Sequence, residues 1–173
     1  DSISAAQAVV AVATINGGAG TDTLNVNDAG PVVVNDNNFA GISSIEKLAF
    51  GAATGLTFSV GGVANGLATA NAGVLDVTAA AYTAAVTIDG TGLSATNSLK
   101  LSLTNIDAAV AATATTITLS QGADNITIKQ AGATNVDTIS INGGVAALAS
   151  ATAKTIDLSG VTVGGVVAVT TGA

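Results

Sequence analysis

The sequence predicts an all-β fold, a parallel β-solenoid of short rungs, with a β-sandwich as the alternative. Three observations point there. Apolar residues alternate with Thr, Ser, Asn and Asp in short bursts, so that each burst has one apolar and one polar face, as a half-buried strand does. The bursts are rich in β-branched residues and are separated by Gly, Asn and Asp. Aromatic residues make up only 2% of the chain (Phe39, Phe50, Phe58 and Tyr82). A narrow coil interior filled by small aliphatics accounts for that scarcity, because stacking of successive rungs completes the core that no single rung can build.

The elements follow in order. Thr23–Val26 is the first clear burst, preceded by the turn at Asn16-Gly17-Gly18 and followed by Asn27-Asp28-Ala29-Gly30-Pro31. Pro31, the single proline, falls between bursts, where a missing N–H costs no ladder bond. Leu56–Val60, Val86–Asp89, Leu99–Leu103, Ile117–Ser120, Ile126–Lys129, Ile139–Asn142 and Ile156–Ser159 repeat the alternation. Turns at Asp89-Gly90, Asn142-Gly143 and Ser159-Gly160 close several of them. From Leu75 onward the apolar pairs begin at 75, 86, 99, 117, 126, 139, 156 and 167, about 13 residues apart on average. That spacing fits two or three strands per coil. Ala108–Ala114 and Val145–Ala153 are Ala-rich and suit either short helical turns or small-residue loops. If the fold were a sandwich polymerising by strand exchange, the apolar segment Ser2–Ile15 would be the donor.

Length and composition bound the function. The 173 residues make one domain. There is no His, Cys, Arg, Met or Trp; four lysines stand against 11 acids, and the net charge is −7. Without His and Cys there is no zinc, haem or Fe–S site of the usual kind, no Ser–His–Asp triad and no thiol nucleophile. Four lysines in an acidic chain exclude a nucleic-acid footprint. No Gly-Lys-Ser/Thr loop and no Arg clamp are present for phosphoryl transfer. Lys47, Lys100, Lys129 and Lys154 lie too far apart in sequence to suggest a polysaccharide-cleaving site, so no enzyme is expected. Hard cations bound by oxygen remain, calcium first among them. No run of 18 apolar residues is present, so no membrane span is expected. The start at Asp1, without a basic signal-peptide flank, leads us to expect a processed chain or a piece of a larger one.

The sharpest motif runs from Gly17 to Asn25, which fits the nonapeptide G-G-x-G-x-D-x-U-x with Asp22 as the carboxylate and Leu24 as the large apolar residue. Glycines turn the backbone so that carbonyls gather, and Asp adds a carboxylate; calcium needs six to eight such oxygens. Gly18, Gly20 and Asp22 are therefore candidate ligands. A glycine turn whose Asp22 accepts backbone N–H groups is the other reading of the same residues. Gln121–Ile128 keeps the second half of the motif and adds Gly122 and Asp124 as candidates; Asn135–Ile141 keeps the Asp137 and the strand but no glycine. Asn35–Asn38 reads as an Asx-rich turn, since it lacks the spacing of an EF-hand loop. Asp76, Asp89, Asp107, Asp124, Asp137 and Asp157 fall at similar points of their bursts and serve either as solvated corner charges or, if stacked, as a further cation route.

On the Gly17–Asn25 motif the chain resembles the RTX family of secreted, calcium-binding β-roll proteins. Passages such as Lys154–Val163 and Val136–Gly144, with the composition as a whole, resemble bacterial surface-layer proteins secreted by the same route and related large adhesins. In β-rolls each calcium is shared by consecutive repeats, and residues 26–34 do not repeat the motif. The resemblance implies a structural, self-assembling extracellular protein of the bacterial cell surface. Its subunits would form a calcium-dependent homo-oligomeric lattice or fibre, with cell-surface polysaccharide as a further partner. A calcium-stabilised spacer or ligand-binding module of an adhesin is the alternative.

Overall fold

The chain folds as a parallel β-solenoid. A computed structural model describes residues 1–51, 54–80, 82–106, 114–130, 138–143, 153–161 and 166–170. Every strand pairing in it is parallel, which replaces the antiparallel ladders of the sandwich alternative.

The first coil comprises β1 (Ser2–Ala5), the helical turn α1 (Gln7–Val10) and β2 (Ile15–Asn16). The second comprises β3 (Thr23–Val26), β4 (Val32–Val34), a 3-10 turn (Asp36–Phe39) and β5 (Ile42–Ser43). The third has β6 (Lys47–Phe50), β7 (Leu56–Ser59) and helix α2 (Gly62–Ala70). Four two-strand coils follow: β8 (Val74–Ala80) with β9 (Val86–Asp89), β10 (Ser98–Ile106) with β11 (Ala114–Thr118), β12 (Asn125–Gln130) with β13 (Thr138–Asn142), and β14 (Thr155–Gly160) with β15 (Val166–Thr170). The first strand of each coil joins a seven-stranded sheet; β4, β7, β9, β11, β13 and β15 join a six-stranded one; β2 and β5 pair alone.

Register explains why alternation was the right signal. Ile3, Leu24, Leu48, Val77, Leu101, Ile126 and Ile156 stand one above another, so a coil takes 21 to 30 residues. The spacing of about 13 residues is therefore half a coil. Side chains of the second sheet stack the same way, from Val34 through Phe58, Ile88 and Ile117 to Ile141. All of these five are buried and close the core from the opposite side. Burying one such aliphatic side chain stabilises by about 1.5–3 kcal/mol.

The coils are not uniform. All four aromatic residues are buried, and Phe39, Phe50 and Phe58 form one cluster in the second and third coils, with ring centroids 6.0 and 5.3 Å apart. There the interior is wide enough for rings, because β5 and α2 supply a third side. The fourth coil still buries Tyr82, and beyond it the buried apolar residues described are all aliphatic. Burial pushes the Tyr82 phenol well above its usual range. Helices α1 and α2 were not expected from the sequence. In α2 the buried Ala64, Leu67 and Ala68 face the core, and Asp36 from the coil before accepts N–H bonds from Gly61, Val63 and Ala64 at its start. The Asn35–Asn38 turn is thus also a cap for the next coil. Of the two Ala-rich stretches, residues 108–113 and 145–152 lie outside the described residues; Ala114 opens β11. Among the described residues no helix is long and apolar enough to cross a membrane.

The two ends differ. Gln7 on α1 accepts the N–H of Val33 at 2.7 Å, covering part of the outer edge of β4. At the other end, Val166, Val167 and Val169 of β15 are exposed.

Candidate cation sites at the strand corners

The candidate ligands gather at one corner, where the chain enters the seven-stranded sheet. Two residues before each inward-facing residue of that sheet lie, coil by coil, Asp1, Asp22, Glu46, Leu75, Leu99, Asp124 and Lys154. Asp22 and Asp124 therefore hold equivalent places, four coils apart.

At the upper corner the Gly17–Asn25 loop makes the turn that its glycines allow. Gly18 and Gly20 have φ of 91° and 123°, a region that L side chains avoid. A Cβ on Gly17 would sit 2.0 Å from the Ser44 carbonyl oxygen and 2.7 Å from Asp22 Cβ, so the loop closes directly over the aspartate. Asp22 is fully buried. Its Oδ1 accepts from the α-ammonium of Asp1 at 2.6 Å, and the same ammonium donates to the Thr21 carbonyl oxygen at 3.0 Å. Its Oδ2 is buried without a partner. Its N–H donates to Glu46 Oε2 at 2.7 Å, which brings a second carboxylate to the corner. Among the described residues the partner of the Asp22 carboxylate is the Asp1 ammonium rather than the backbone N–H groups of a glycine turn.

At the lower corner Asp124 is also buried, and both its oxygens are engaged. Oδ1 accepts from Leu99 N–H (2.8 Å) and, in a very short bond, from the Ser120 hydroxyl. Oδ2 accepts from Ser120 N–H at 2.9 Å and from Lys154 Nζ at 2.8 Å. The Lys154 ammonium also donates to the carbonyl oxygens of Ser120 (2.8 Å) and Gly122 (2.7 Å), which uses all three of its N–H groups. Gly122 is required by space: a Cβ there would come within 1.9 Å of the Asn97 carbonyl oxygen.

The two corners fit a metal differently. Asp22 keeps a buried carboxylate oxygen with unused acceptor capacity, and Glu46 reaches the same corner through the Asp22 N–H, so hard oxygen ligands suited to calcium are at hand. Among the described residues no three acidic side chains converge, so most ligands there would be backbone oxygens. At Gly122 and Asp124 the place a cation would take is held by Lys154. Lys154 was missed from the sequence, although its offset from Ile156 equals that of Asp22 from Leu24 and Asp124 from Ile126.

Among the described residues the remaining acids of the bursts do not stack on one another. Asp76 lies in register between Lys47 and Lys100 and pairs with Lys100 Nζ at 2.7 Å. Asp89 accepts from the N–H and hydroxyl of Thr91. Asp157 is held below the usual carboxylate range by the hydroxyl and N–H of Ser159. Asp107 and Asp137 lie outside the described residues, as do Asn135 and Val136. Along β3, β6, β8 and β10, a groove of about 330 Å³ has Asn25, Asn27, Thr78, Ser102 and Thr104 among an otherwise apolar lining that includes Ala49, Phe50 and Ala80. Comparison with known protein families, with curated proteins and with solved structures gives no match for this chain.

Proposed function

We propose that this chain is a structural, self-assembling protein of the bacterial cell surface, a secreted subunit of a surface layer or filament that calcium stabilises at Gly18, Gly20 and Asp22. The observation that carries the reading is the parallel pairing of each coil on the next, a mode that identical copies can continue edge to edge. The unpartnered Asp22 oxygen supports calcium, and the resemblance of Gly17–Asn25 to RTX repeats agrees with it.

A second reading, a calcium-stabilised spacer or ligand-binding module of an adhesin, draws on the end at α1, where Gln7 blocks part of the β4 edge and so disfavours head-to-tail stacking through that sheet. The groove beside β3, β6, β8 and β10, with amides and hydroxyls set among small apolar residues, is where such a module would meet a surface polysaccharide. Calcium titration of the purified chain, followed by light scattering and electron microscopy, separates the two. Ordered growth supports assembly. A higher unfolding midpoint without growth rejects it in favour of the module, and cleavage of an acidic polysaccharide rejects both.

A further inference from the structure

We infer that Lys154 is a tethered cation occupying a metal-type oxygen cage, and that removing its ammonium opens a calcium site formed by the Ser120 and Gly122 carbonyls and the Asp124 carboxylate. An ordinary buried ion pair needs only a carboxylate opposite the lysine. Here two backbone carbonyls converge on Nζ as well, at 2.8 and 2.7 Å, with the carboxylate oxygen at 2.8 Å. The three oxygens belong to one loop in which the Ser120 N–H and hydroxyl bind Asp124 and Gly122 N–H binds the Ser120 hydroxyl. The loop is therefore held in shape independently of the lysine. Calcium–oxygen distances run about 2.3–2.6 Å, so contraction by a few tenths of an ångström would suit the ion, with water completing its shell. Lys154 comes from the next coil and its side chain is only 12% exposed. The charge is thus supplied by the chain itself, and the lower coils are locked without a dissolved ion. The inference stands on this cage alone and is independent of any assembly.

The test uses the whole chain with Lys154→Met, which keeps an unbranched apolar stem, ends one atom short of the ammonium position and removes the charge. Bound calcium per chain is measured by calorimetry, and unfolding midpoints are read in chelator, in about 10 mM calcium chloride (well above the range of weak extracellular sites) and in sodium chloride of matched ionic strength. The expected result is one more calcium per chain than in the wild type, a midpoint lowered in chelator, and substantial recovery in calcium but not in sodium. The double variant D124N/K154M loses the carboxylate too and is expected to bind no additional calcium. The inference is overturned if K154M binds no extra calcium, if sodium restores it equally, if it fails to fold even in calcium, or if the double variant gains the same ion.

Discussion

Asp22 and Asp124 occupy the same position of the same ladder, both wholly buried, yet their surroundings are opposed. Below Asp124 the next coil contributes Lys154; below Asp22 it contributes Glu46. One aspartate has every lone-pair direction answered, while the other meets the next coil's carboxylate only through its backbone N–H and keeps an oxygen without a partner. The better match to the glycine-rich motif thus has the less satisfied carboxylate. In a solenoid the partner of a corner residue is chosen one coil away, about 25 residues along, rather than by the local motif.

Exchanging features between the corners sharpens this contrast. The largest effect is expected from Asp124→Ala, which leaves a largely buried ammonium and two N–H groups without their acceptor. It should cost about 3–5 kcal/mol in denaturant unfolding. Asp22→Ala should cost less, about 1–3 kcal/mol, because its α-ammonium partner belongs to a residue that is 91% exposed and can hydrate. A cost equal to that of Asp124→Ala would break the comparison. Glu46→Lys gives the upper corner a lysine in the place that Lys154 holds below. Stability without calcium should change by less than about 1 kcal/mol, while any calcium-induced rise in the unfolding midpoint should disappear. The smallest effect belongs to a pair outside the corners: Lys100→Ala removes a contact whose lysine is 55% exposed and should shift stability by no more than about 0.5 kcal/mol.

Much of the fold was legible. All eight apolar pairs from Leu75 onward fall within or beside the strands β8 to β15, because alternation directly reports the two faces of a strand. The upper coils were less so. Strands β1, β2 and β5 are only two to four residues long, and α2 carries the sequence GVANGLATA, with two glycines and no charged residue in its span. Tertiary support decides such a helix: Asp36 caps it from another coil, and Ala64, Leu67 and Ala68 pack inward. Gly122 and Asp124 could be singled out from their motif, but Lys154 could not, since nothing local marks a lysine as a cage-filling cation. Its role became visible only when register placed Ile126 against Ile156.

The cap that Asp36 places on α2 has a consequence for how the chain folds. It spans 25 to 28 residues of sequence, and the Asp124–Lys154 contact spans 30; both reach only to the adjoining coil. Every such link has nearly the same loop to close, so no step in assembling the stack is much costlier in chain entropy than another. Order should therefore advance as a front, each finished coil templating the next. The wide, phenylalanine-filled coils are the natural place for that front to begin. Hydrogen exchange should accordingly show protection falling off coil by coil from that region towards β15, rather than a single value shared by all amides.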